Sequence, residues 1–79
     1  MKSSDILLLL THHGKLIFKI PKGQYDSDPV TYCIRVNDQG DQFTHSWWTA
    51  NGSSWGPHNE GVENTMKVIA RHTRHLKVD

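Results

Sequence analysis

Seventy-nine residues, 35% of them hydrophobic, leave room for one small domain with a lean core. Nine Lys+Arg against eight Asp+Glu give a formal charge of +1, and six histidines make that charge climb below about pH 6.5. Two domains, a coiled coil, a repeat array, a membrane span and a large enzyme with its own deep pocket are excluded.

Cys33 is the single cysteine, so no disulfide can form within the chain, which favours a reducing compartment. The apolar run Ile6–Leu10 is shorter than the roughly seven residues of a signal-peptide core and the roughly twenty of a membrane helix. The expectation is a cytoplasmic protein, a single α+β domain over residues 1–79. Asn51-Gly52-Ser53 matches a glycosylation acceptor, but without a secretion signal it reads as a turn.

Ser3-Ser4-Asp5 suits a helix start, His12 and His13 suit its negative end, and Gly14 suits the left-handed residue beyond. The leucine run then predicts a helix over Ser4–His13, with a strand over Ile6–Leu10 as the alternative. Lys15–Ile20 reads as a strand with Leu16, Phe18 and Ile20 on one face. Pro21 and Gly23 end it, and Gln24–Pro29 is a polar loop. Thr31–Val36 and Phe43–Thr49 form a hairpin around Gln39-Gly40, opposing Val36 to Phe43, Ile34 to His45 and Tyr32 to Trp47 on the core side. Asn51–Asn59, rich in Gly and Pro, reads as a loop carrying Trp55. A helix from about Glu60 to Lys77 places Val62, Met66, Ile69, Thr73 and Leu76 on one stripe. The expected order is α-β-β-β-α, a three-stranded antiparallel sheet between an N-terminal helix and an amphipathic C-terminal helix. The alternative is β-β-β-β-α.

Four features bear on function. From Asn64 to Val78 the chain holds Lys67, Arg71, Arg74 and Lys77, two histidines and no acid, a face suited to phosphates or an acidic protein surface. Trp48 is expected to point away from the core beside Arg35 and Thr31, with Trp55 extending the patch. Trp and Arg are the residues that anchor protein interfaces. His72 and His75, at i and i+3, are the best candidate metal pair, yet one cysteine and the adjacent His12-His13 do not complete a four-ligand site, so no metal or other cofactor is expected. No nucleophile elbow, phosphate loop or HExxH motif occurs. The remaining enzymatic reading is a metal-free ribonuclease using His45 or His72, with Arg35 or Lys19 beside His45.

The opening Met1–Leu10, then Gly14 and a strand, resembles the start of the small toxin ribonucleases of toxin–antitoxin pairs, and the α-β-β-β-α order is shared with them and with double-stranded-RNA-binding domains. Those toxins carry a Gly-Ser/Asn-His stretch after the first strand, where this chain reads Lys22-Gly23-Gln24-Tyr25, so a catalytic histidine has nothing to map onto.

The leading expectation is a non-enzymatic module that docks on a larger protein through Trp48, Arg35 and Trp55, inhibiting or regulating it by occupying a surface, in the style of the small inhibitors of phages and mobile elements. The second is RNA or DNA binding through Lys67, Arg71, Arg74 and Lys77, and the third is the ribonuclease.

Overall fold

A computed structural model describes residues 3–72. The elements are α1 (Ser3–His13), β1 (Lys15–Ile20), β2 (Val30–Val36), β3 (Phe43–Trp48), β4 (Ser54–Glu60) and α2 (Val62–His72). The strands form one antiparallel sheet in the order β1-β2-β3-β4. The class is α+β as expected, but the sheet has four strands and the order is α-β-β-β-β-α.

The leucine run is helical. Ile6 and Leu10, one turn apart, are buried, with Leu7 packed beside them. Gly14 closes α1 with φ 82°, its N–H donating to the Leu10 carbonyl at 2.7 Å, the left-handed cap that glycine accepts without strain. The hairpin register is the one the alternation dictates: Tyr32 opposes Trp47, Ile34 opposes His45 and Val36 opposes Phe43. Asn37 organises the turn, its Oδ1 accepting from the N–H groups of Asp41 and Gln42 at 3.1 Å each.

The segment expected to be a loop, Asn51–Asn59, is mostly β4. A short turn over Thr49–Ser53 leads into it, with the Thr49 N–H donating to the Ser53 carbonyl at 2.9 Å. Gly56 and Pro57 disguise the strand. β4 lies at the sheet edge, where a proline without an N–H is tolerated. The ladder is irregular there: His45 pairs His58, Trp47 pairs Trp55, and the extra residue makes a bulge. Gly56 sits at φ 89°, and a Cβ on it would lie 2.5 Å from the His45 carbonyl oxygen. Only glycine lets the two backbones approach this closely.

Both helices lie on one side of the sheet. Ile6 and Leu10 from α1 and Ile69 from α2 close a core with Phe18, Ile20, Val30, Tyr32, Ile34 and Phe43. Truncating a side chain buried as Leu10 is costs about 2–5 kcal/mol. α2 begins at Val62 rather than Glu60, because Glu60 still pairs with Phe43. Its buried residues are Thr65, Ile69 and His72, whereas Val62 is 44% exposed and Met66 half-buried. The helix is therefore rolled from the expected stripe, whose members Thr73 and Leu76 lie outside the described residues. The roll is favoured because both buried polar side chains find partners: Thr65 Oγ1 meets His45 Nε2 at 2.8 Å, and His72 Nε2 meets the Tyr25 hydroxyl at 2.8 Å.

The other sheet face carries Lys15, Ile17 and Lys19 from β1, Thr31, Cys33 and Arg35 from β2, and Thr44, Ser46 and Trp48 from β3. No described segment covers it. Ile17 is 47% and Trp48 44% exposed, while Cys33, small and flanked by Ile17 and Ser46, is buried.

Candidate functional site

Among the described residues, aromatic side chains on the helix side of β2–β4 border an open cleft beside α2. The bulge puts them there: Trp55 pairs with Trp47, His58 with His45 and Glu60 with Phe43, so all three β4 side chains share the face that carries the core. A regular strand would send Trp55 to the side opposite His58 and Glu60.

The result is a cleft of about 390 Å³, within the roughly 300–1,000 Å³ typical of ligand sites. Its floor is aromatic. Tyr25 lies parallel to Trp47, ring centroids 6.4 Å apart, and Tyr32 lies nearly parallel to Trp55 at 6.5 Å. Tyr25 comes from the β1–β2 loop and is held by its hydrogen bond to His72 and an edge contact with that ring at 5.4 Å. Glu60, Asn64, Lys67 and Arg71 supply the polar wall. Asn64 and Lys67, one turn apart, and Arg71, a further turn on, present one side of α2.

The wall is electrically divided. Glu60 is half-buried, and its Oε2 accepts from Asn64 Nδ2 at 3.0 Å. That bond orients the carboxylate and leaves its other oxygen unclaimed by any described side chain. Among the described residues the ion pair formed is Lys67–Glu63 at 3.7 Å, between exposed groups on the helix surface, where such pairs contribute little. Burial above all, then the neighbouring Tyr25 and Glu60, raise the pKa of the Tyr32 hydroxyl in the floor, which Arg71 opposes.

His45 lies under the floor, fully buried. Its Nδ1 meets the Tyr32 hydroxyl at 2.7 Å and its Nε2 meets Thr65 Oγ1 at 2.8 Å. A neutral imidazole has one N–H, so one hydroxyl donates to the ring and the other accepts from it. Burial lowers the His45 pKa, and Glu60 offsets part of that shift. His45 is thus a strut between β2, β3 and α2. Arg35 and Lys19, its suggested catalytic partners, point to the opposite face of the sheet.

The structure separates other expected groupings. Trp55 does not extend the Trp48 patch; it lines the cleft on the other side of the sheet. Trp48 opposes Thr31, as expected, but Arg35 is four residues further along β2, about 13 Å away. Lys67 and Arg71 join the aromatic floor, while Arg74, Lys77 and His75 lie outside the described residues. Among the described residues no group of three His, Cys, Asp or Glu could hold a metal ion, and no helix is long and apolar enough to cross a membrane.

Sequence reasoning missed Tyr25 and Glu60. One was read as part of a polar loop and the other as a helix residue. The available signal was the spacing of Trp55, His58 and Glu60, which share a face only if a bulge lies between the first two. No family model, curated protein or solved structure matches the chain.

Proposed function

We propose that this protein is a small non-enzymatic binding module for single-stranded nucleic acid, most simply RNA, taking a base into the cleft. The observation that carries the reading is the meeting of stacked aromatic rings with Lys67 and Arg71 in one cavity. A base has a flat apolar body and an anionic tether. An aromatic floor matches the first and two adjacent cations match the second, and base–aromatic stacking contributes about 1–3 kcal/mol per base. The divided wall counts against a purely cationic ligand, because Lys67 and Arg71 would repel it. It counts equally against a featureless apolar ligand, for which Glu60 would be desolvated without return.

Fluorescence anisotropy with labelled seven-nucleotide single-stranded RNA of mixed sequence tests this. Binding is expected at low salt, with log K falling against log [salt] at a slope of about −1.4 if two phosphates are neutralised. Trp55→Ala should weaken it at least about fivefold. Absence of binding at low salt, or indifference to Trp55→Ala, rules the reading out.

A second reading rests on a separate observation, the exposure of Ile17 and Trp48 on an open sheet face with Lys15, Lys19 and Arg35 and no acid among its strand residues. That face suits a larger protein with an acidic rim around an apolar spot. A nuclease-resistant partner lost on Trp48→Ala, but kept on Trp55→Ala, supports docking there. Unfolding on Trp48→Ala would sink it.

A further inference from the structure

We infer that the cleft selects guanine, with Glu60 reading the base's Watson–Crick edge while Lys67 and Arg71 hold the phosphate; this rests on the single-stranded nucleic acid reading above. Glu60 offers acceptors only, and Asn64 Nδ2 fills just part of that capacity. A base that stacks on the floor and turns an edge toward Glu60 must therefore present donors.

Guanine alone of the four RNA bases has two adjacent donors on one edge, N1–H and the N2 amino group, side by side as the two oxygens of a carboxylate are. Adenine offers one donor next to the N1 lone pair, and cytosine one donor next to the N3 lone pair. Each would set a lone pair against a carboxylate oxygen. Uracil has a single N–H between two carbonyls. The carboxylate thus attracts one base and repels the others, the combination from which specificity is built. Bonds to an ionised acceptor are the strong ones, and a half-buried carboxylate has less water to compete for it.

The rest of the wall agrees. Lys67 and Arg71 sit one turn apart on α2 and face the same opening as Glu60, so an anionic group tethered to the base meets cations rather than the carboxylate. The Asn64 bond fixes the rotamer of Glu60, so little side-chain freedom is lost when a ligand arrives. Trp55, exposed at the cleft and backed by the buried Tyr32 ring, offers an indole face on which a purine covers more area than a pyrimidine.

The test is calorimetric titration of the full chain with GMP, AMP and UMP, beside the anisotropy assay on RNA. GMP is expected to bind at least about tenfold tighter than AMP, with UMP weaker still. Glu60→Gln should bring GMP down to the AMP level, whereas Lys67→Ala should weaken both purines by the same factor. Equal affinity for GMP and AMP in the unaltered protein, with RNA still bound, overturns guanine selection and leaves base stacking standing. If neither the nucleotides nor the RNA binds, both readings fall. The GMP-to-AMP ratio of the unaltered chain needs no variant to fold, and circular dichroism of Glu60→Gln checks that a lost preference is not lost structure.

Discussion

His45 is shut off from bulk solvent. Both ring nitrogens face hydroxyls in a fully buried site, and charging the ring there would strand a cation among Tyr32, Thr65 and the core. Its pKa is therefore held below the ordinary 6.5. Above pH 6.5 the ring is neutral folded or unfolded, and pH does not act through it. Below 6.5 the unfolded chain takes up a proton that the folded chain resists, so stability falls as the solution is acidified, by up to about 1.4 kcal/mol per pH unit. Urea midpoints measured from pH 7 to pH 5 should drop for the unaltered protein and drop less for His45→Gln, which keeps a donor and an acceptor without a titrating ring. Equal slopes would show that the acid sensitivity lies elsewhere. Gly56 is constrained by space rather than charge. Alanine there must hold a positive φ and place a methyl group 2.5 Å from a carbonyl oxygen, at a cost of roughly 2–4 kcal/mol. Gly52, with φ 96° and nothing within reach of a Cβ, isolates the backbone part, so Gly52→Ala should cost only about 1–2 kcal/mol. Thermal denaturation of the two variants compares them directly, and similar losses would mean that the close approach of β4 to β3 is not tight.

At the level of the element, α2 is placed by polar contacts as much as by apolar ones. Its apolar residues suggest a stripe through Val62, Met66 and Ile69, yet the helix turns Thr65 and His72 inward because hydroxyl and ring partners wait for them. Thr65→Val keeps the shape and removes the partner of His45 Nε2, so it should cost about 1–3 kcal/mol. Val62→Gln, at a position 44% exposed, should change stability by less than about 0.5 kcal/mol. Denaturant melts that reverse this order would restore the apolar stripe as the docking face. The same helix shows where the sequence stops being readable. Period and caps locate a helix, but a buried threonine and a surface threonine are the same letter until the imidazole across from it is known. The register of the β2–β3 hairpin was legible, its ends to within one residue, because alternation on both strands agrees with only one pairing. β4 was illegible because Gly56 and Pro57 signal a turn locally, and only the ladder from β3 overrules them. Missing β4 moved Glu60 into a helix and sent Trp55 to the wrong face, so the cleft could not have been assembled from the sequence, although Lys67, Arg71 and Trp55 were each singled out.

Across the whole molecule, one sheet separates two surfaces of different character. The helix side carries a cleft of rings with a divided polar wall. The open side carries Lys15, Lys19 and Arg35, hydroxyl residues and two exposed apolar side chains, Ile17 and Trp48. Trp47 and Trp48, adjacent in sequence, belong to opposite surfaces because strand side chains alternate. Trp48 and Trp55 lie on opposite faces of the sheet, so the effects of their mutation on any one ligand should be independent. For single-stranded RNA, Trp55→Ala should weaken binding while Trp48→Ala leaves it within about twofold, and the double variant should match Trp55→Ala alone. The assay is anisotropy on one RNA with all four proteins at one salt concentration. If Trp48→Ala weakens binding as much as Trp55→Ala, the strand bearing phosphates wraps the edge at β4 and uses both faces. The cleft would then be one end of a longer track rather than a site complete in itself.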